Sequence, residues 1–169
     1  VGRPHSARLD PYLAWQRRNA QQLAEPLHGV PTLLLPTEPA GHEHNWYNFV
    51  IRFDMEALGQ TQDPAAYRDK LVQALRAEGV EAGVWQRFIL PCMTVFQAKN
   101  AYGHGAPWSS PHAQPVDYSL DQYPVAQRHS DTHACLVQTL RYPNGSDLIE
   151  LIAEGIRKVM ARAEELAGM

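Results

Sequence analysis

The chain has 169 residues, 44% of them apolar, and a formal net charge of −3 from 15 Lys and Arg against 18 Asp and Glu. That length fits one domain, residues 1–169, with a buried core. The mild negative charge and scattered cations argue against nucleic acid as a partner, and no apolar run is long enough to cross a bilayer. The two cysteines, Cys92 and Cys135, make no disulfide framework and read as reduced thiols of a cytoplasmic protein. No charged-then-apolar leader precedes the first helical pattern. A chain that begins at Val1 is expected to be a processed product or a piece of something longer.

Asp10-Pro11 reads as an N-cap followed by proline at the first helical position. Leu13, Ala20, Leu23 and Leu27 then recur at helical spacing, which predicts a helix over 10–27 that Gly29 ends and Pro26 bends. The run PTLLLP suits an edge strand or extended connector. NWYNFVIRFD is the clearest strand: Tyr47, Phe49, Ile51 and Phe53 alternate onto the core face, with Trp46, Asn48, Val50 and Arg52 opposite. Asp63-Pro64 repeats the cap signal. Tyr67, Leu71, Ala74, Leu75 and Glu78 follow one helical stripe, and Gly79 sits where a left-handed residue closes a helix. VEAGVW can return as a short strand. PVAQRHSDTH reads as a short helix, ACLVQTLRY as a strand, and PNGS as a turn ending in a helix cap. Leu148, Leu151, Ile152, Ile156, Val159 and Met160 mark a final helix over 146–166. Few strands among several helices predict an α+β fold: a two-layer sandwich whose small, mostly antiparallel sheet is covered by helices.

Between these elements, from about Gln86 to Tyr123, the chain has neither a 3.6- nor a 2-residue apolar rhythm. Segments of this length without periodicity are uncommon in compact domains and usually serve as lids or binding loops, or are disordered. This one gathers Tyr102, His104, Trp108 and His112 around the flexible pair Gly103 and Gly105. Aromatics with a few polar groups are what small-molecule pockets use, but loop aromatics also pin a loop to its own body. The residues leave the two readings open. His129 and His133 stand four apart on a probable helix, a metal-ligand spacing, and His42 and His44 flank Glu43. No third ligand stands at a standard distance, so no metal is expected and the 129/133 pair reads as two histidines on a solvated helix face. No phosphate loop, dinucleotide fingerprint or nucleophile elbow occurs.

Taken in order, the segments RRNAQQLAEPL, HNWYNFVIRFD, YRDKLVQALRAEGVEAG, ILPCMTVFQAKNAYGHGAPW, YPVAQR and NGSDLIELIAEGIRKVM span nearly the whole chain. Their succession resembles the C-terminal part of the DegT/DnrJ/EryC1/StrS family of fold-type I, pyridoxal-phosphate-dependent aminotransferases. That resemblance implies an aminotransferase small domain whose parent transfers an amino group from an amino-acid donor to a keto-sugar or related cyclic ketone, as a cytoplasmic homodimer. In the family the catalytic lysine lies in a preceding large domain. This chain has only Lys70, Lys99 and Lys158, none after a serine-rich stretch. The resemblance therefore implies no catalytic or cofactor-binding residue here, no pyridoxal phosphate bound by this chain alone, and no activity of the chain by itself. Met93 stands where family members often carry His or Gln, and Pro124-Val125-Ala126-Gln127 where they often carry Pro-x-Ala-Glu.

The family's segment at Gln86–Tyr123 lies along the mouth of the active site near the dimer partner. Tyr102, His104 and Trp108 are then the expected substrate-binding residues, aromatic for the ring face of the sugar and polar for its hydroxyls. The alternatives are a free-standing ferredoxin-like module that binds a small molecule, and a domain serving only dimerisation.

Overall fold

A computed structural model describes residues 8–168 of the chain. They form two compact units: one from the chain up to Trp85 together with Thr132 onward, the other from Gln86 to Asp131.

The first unit is an α+β sandwich. Its helices are α1 (Leu9–Ala24), α2 (Pro64–Ala77) and α5 (Ser146–Ala161). Its strands are β1 (Leu33–Leu34), β2 (Asn48–Phe53), β3 (Ala82–Gly83) and β4 (His133–Val137). The four strands make one antiparallel sheet in the order β1-β2-β4-β3. Phe49 pairs with Leu136 and Ile51 with Ala134. Side chains alternate along a strand, so these four share one face with Phe53. All five are buried among Leu23 and Leu27 from the α1 end, Leu71 and Leu75 from α2, and Ile149 and Ile156 from α5. The expected core face of the β2 strand is therefore the observed one from Phe49 onward.

Several local expectations are corrected. Helix α1 begins a residue early, at Leu9, with Arg8 at the cap and no side-chain cap bond. Asp10 is thus a first-turn acid, favourable toward the helix dipole, and no N-cap. Pro11 is tolerated because first-turn N–H groups have no helical partner. At the far end the chain tightens into a 3₁₀ turn over Glu25–Leu27 at Pro26. Tyr47 is exposed and Trp46 buried, the reverse of strict alternation, because Trp46 has φ +54° and turns its ring onto Phe49 at 5.8 Å. In α5 Leu148 and Leu151 are exposed while Ile149 joins the core. The buried line runs Ile149, Ile152, Ile156, Val159/Met160, a steady i, i+3/i+4 stripe that leaves Leu148 and Leu151 at its margin. The helix ends at Ala161, and a 3₁₀ turn covers Ala163–Gly168. No hydroxyl caps its start, where Gly145 takes the cap position.

Other signals hold. Asp63 Oδ1 accepts the Ala66 N–H at 3.1 Å, and Gly79 closes α2 at φ +82°. Helix α1 is pinned to the β4–α5 connection by polar side chains spaced along one face. Trp15 Nε1 donates to Asn144 O at 2.8 Å, and Gln22 donates to Ser146 and Glu150. The fully buried Asn19 donates to the carbonyls of Leu140 and Asn144 at 3.0 Å each.

The second unit holds the aperiodic segment. It has 3₁₀ turns at Leu90–Cys92 and Leu120–Gln122, the single-turn helix α3 (Thr94–Gln97), and most of α4 (Pro124–Thr132). Its short helices and turns contain no strand, in keeping with the missing periodicity.

Candidate functional site

The aperiodic segment builds a small core of its own. Phe96, on α3, meets Trp108 edge-on with centroids 6.0 Å apart and lies 5.4 Å from the Tyr118 ring. Trp108 and Tyr118 are themselves edge to face at 6.2 Å, a geometry aromatic pairs favour. The indole N–H of Trp108 donates to the Tyr118 hydroxyl at 2.9 Å. Side chains then fasten distant parts of the segment to backbone. Gln97 Nε2 donates to Pro91 O at 2.7 Å and Tyr118 O at 3.0 Å, and Lys99 Nζ to Val116 O at 2.7 Å, with its ammonium 5.9 Å over the Tyr118 ring. Asp117 accepts from the Ser119 N–H and hydroxyl. These bonds, with Lys99 as a lesser influence, hold its carboxyl below the usual range.

From this base a tight turn projects. Gly103, His104 and Gly105 have φ of +88°, +52° and +75°. Glycine takes this region freely; histidine does so only when its surroundings hold it there. The holding bonds run from the Ala101 and Tyr102 N–H groups to Ala106 O, from Ala106 N–H to Gly103 O, and from Gly105 N–H to Asn100 Oδ1 at 3.2 Å. A Cβ at Gly105 would also stand 3.3 Å from Ser109 Cβ. At the tip, Tyr102 is 85% exposed and His104 exposed. Neither side chain has a hydrogen-bond partner among the described residues. Residues kept in sparsely populated backbone regions concentrate at ligand sites, which makes this turn a candidate.

Of the three expected substrate residues, Tyr102 and His104 both lie on the turn, with Gly103 between them. Trp108 instead enters the cluster that supports it, half-buried and with its N–H already used. Phe96, Tyr118 and Gln97, which hold the platform, were not singled out from sequence. The signal was there in aromatics at 96, 108 and 118, but only a fold brings residues so spaced together.

The pair expected on one solvated helix face, His129 and His133, separates. His129 is exposed on α4, whereas His133 is the first residue of β4 and buried, so a helix–strand boundary breaks the i, i+4 relation. His44 Nδ1 accepts the Trp46 N–H at 2.7 Å and its ring lies 4.4 Å from that indole. His42 Nδ1 is 3.1 Å from Ala40 O. Among the described residues no group of three His, Cys, Asp or Glu could hold a metal ion. The lysines serve local contacts: Lys70 to Leu166 O at 3.3 Å, Lys99 as above, and Lys158 to Glu78 at 2.7 Å. Both cysteines are free; burial pushes the Cys135 thiol above its ordinary pKa. No described helix is long and apolar enough to cross a membrane.

No family model matches the chain. By fold it is similar to 3-amino-5-hydroxybenzoic acid (AHBA) synthase, with TM-score 0.67 and 20% identity over 92% of this chain and 36% of that one. It is also similar to the aminotransferase TlmJ from Streptoalloteichus hindustanus, with TM-score 0.59 and 21% identity over 92% of this chain and 33% of that one. The chain thus spans about a third of the length of either protein, and at this identity the likeness is one of fold.

Proposed function

We propose that the chain is the C-terminal small domain of a pyridoxal-phosphate-dependent aminotransferase of the DegT/DnrJ/EryC1/StrS type. In this reading Gln86–Asp131 forms part of the substrate mouth. The observation that carries it is the fold likeness: 92% of the chain superposes on about a third of two longer proteins, one of them an aminotransferase. The sequence motifs point to the same family independently. The substrate class is a keto-sugar or related cyclic ketone, and an amino acid gives the amino group. An amino-substituted six-membered ring in the name of the first similar protein fits that class.

Tyr102 and His104 offer a hydroxyl and an imidazole from a turn whose backbone is already fixed, so little entropy remains to be lost when a polyhydroxylated ring arrives. Trp108 contributes ring surface and, through Tyr118 and Phe96, holds the turn in place. The cofactor supplies the amino-transfer chemistry and is held by the parent's large domain, since no lysine here stands in a suitable pocket. Phe88, Leu90, Val116, Leu120 and Val125, all exposed on this unit, favour a homodimer in which a second copy covers them.

The test is made on the full-length parent. Trp108→Ala is expected to lower kcat/KM for the ketone by about 10-fold or more, roughly 1.4 kcal/mol, while the donor half-reaction changes much less. Equal losses in both half-reactions with a lower melting temperature would reduce Trp108 to a packing residue and remove the substrate role. For the chain alone, incubation with pyridoxal phosphate, borohydride reduction and digestion is expected to yield only scattered labelling. One stoichiometrically labelled lysine would contradict the assignment of the cofactor to the large domain.

A further inference from the structure

The side of α1 that faces the β4–α5 connection carries rings the fold leaves outward. Tyr12 and Tyr142 stack with centroids 5.7 Å apart, and Trp15 meets Tyr142 edge-on at 5.2 Å. The Arg18 guanidinium lies 4.2 Å over the Trp15 ring, and that of Arg141 4.9 Å over Tyr47. Tyr12, Tyr47 and Tyr142 remain 40%, 54% and 57% exposed. Neither Arg18 nor Arg141 pairs with a carboxylate among the described residues, in a chain with more acids than bases. At 100° per residue, Tyr12, Trp15 and Arg18 fall within about 120° of one another on α1. Glu43 is taken by Arg17 at 2.6 Å.

Hydrogen bonds within the chain tie the two sides of this surface together. The bonds from Trp15 to Asn144 and from buried Asn19 to Leu140 and Asn144 fix both the helix and the connection that carries Arg141 and Tyr142.

We propose that this Tyr–Trp–Arg face is a docking surface for an acidic protein segment that carries an aromatic or other apolar side chain beside its carboxylates. Tyr, Trp and Arg are the residues that most often carry binding energy at interfaces. A guanidinium laid flat on a ring keeps its edge N–H groups available for a carboxylate, to which they can bind in a bidentate manner. Charge complementarity selects the acid, and the exposed ring area selects its apolar neighbour. Two arginines in a chain of net negative charge are a poor match for the dense phosphates of nucleic acid.

The test uses the full chain and a fluorescent peptide of glutamates interspersed with tyrosines, followed by anisotropy. A glutamate-only peptide of equal charge and an oligothymidylate serve as comparisons. The Glu–Tyr peptide is expected to bind saturably, more weakly as salt rises, and about tenfold or more tighter than the glutamate-only peptide. Joint Arg18→Ala and Arg141→Ala substitution is expected to weaken it by about tenfold or more without moving the melting curve. Tyr142→Ala weakens binding and Tyr142→Phe retains it. Absence of saturable binding, indifference to the arginine pair, or equal affinity for the glutamate-only peptide would overturn the proposal. Tighter, Arg18-dependent binding of oligothymidylate would give the face to nucleic acid and overturn it as well.

Discussion

Asn19→Asp exchanges one buried group for another of nearly equal shape and isolates a single physical effect. Asn19 has no exposed surface; its amide donates twice, to Leu140 O and Asn144 O at 3.0 Å each, while Oδ1 has no partner. An ionised aspartate has no donor and faces two carbonyl oxygens. Losing two hydrogen bonds costs about 2 kcal/mol net, and Asn19→Ala bears this loss too. The aspartate adds a titration. Burial and the facing oxygens raise its folded-state pKa well above the unfolded value of about 3.9. A group whose pKa is raised on folding contributes fully below its unfolded pKa, and that contribution is lost as pH rises through the folded pKa. At about 1.4 kcal/mol per unit, Asn19→Asp should match Asn19→Ala near pH 4 and fall up to about 4 kcal/mol behind it by pH 7. Against a typical total of about 5–15 kcal/mol this comes close to unfolding the protein. Urea titrations of wild type and both variants, followed by tryptophan fluorescence over that pH range, measure the gap. A gap that stays constant with pH would mean that water reaches position 19, and the pinning of α1 by buried bonds would be refuted.

Gly155→Ala places a methyl 2.9 Å from Val80 Cγ2. Overpacking outweighs the helix-propensity gain of about 1 kcal/mol, so a net loss near 1 kcal/mol is expected, turning into a gain in a Val80→Ala background. An unchanged sign in that double-mutant cycle would contradict the close packing of α5 on Val80. Tyr67 is buried and its hydroxyl donates to Ala163 O at 2.6 Å; burial, with Glu164 as a lesser cause, raises the phenol's pKa. Its contribution is present below the unfolded value near pH 10 and is lost above it, so the alkaline fall in stability should be shallower in Tyr67→Phe. Cys92, partly accessible, should react with a thiol reagent quickly and buried Cys135 only on unfolding. Two fast thiols would place β4 differently.

Much of the framework was legible in the chain order of its residues. The alternation of Phe49, Ile51 and Phe53, the Asp63-Pro64 cap, the left-handed Gly79 and the aperiodic stretch from Gln86 are local signals, decided by neighbours within a turn or a few residues. Period and capping chemistry act at that range, so sequence alone determined element types, the α+β class and the segment free to carry a site. What needed the tertiary structure involves partners far apart in the chain. A positive φ at Trp46, which puts its indole on Phe49, reversed the roles of two adjacent aromatics. The strand start at His133 broke a metal-like spacing. The packing of Trp108 on Phe96 and Tyr118, residues 12 and 10 positions away, follows no local pattern. The rings of Tyr12 and Tyr142, 130 positions apart, form a surface only because Trp15, Asn19 and Gln22 fasten α1 to the β4–α5 connection. Such long-range pairings follow from where the burial of apolar faces carries each element, and no local period encodes them.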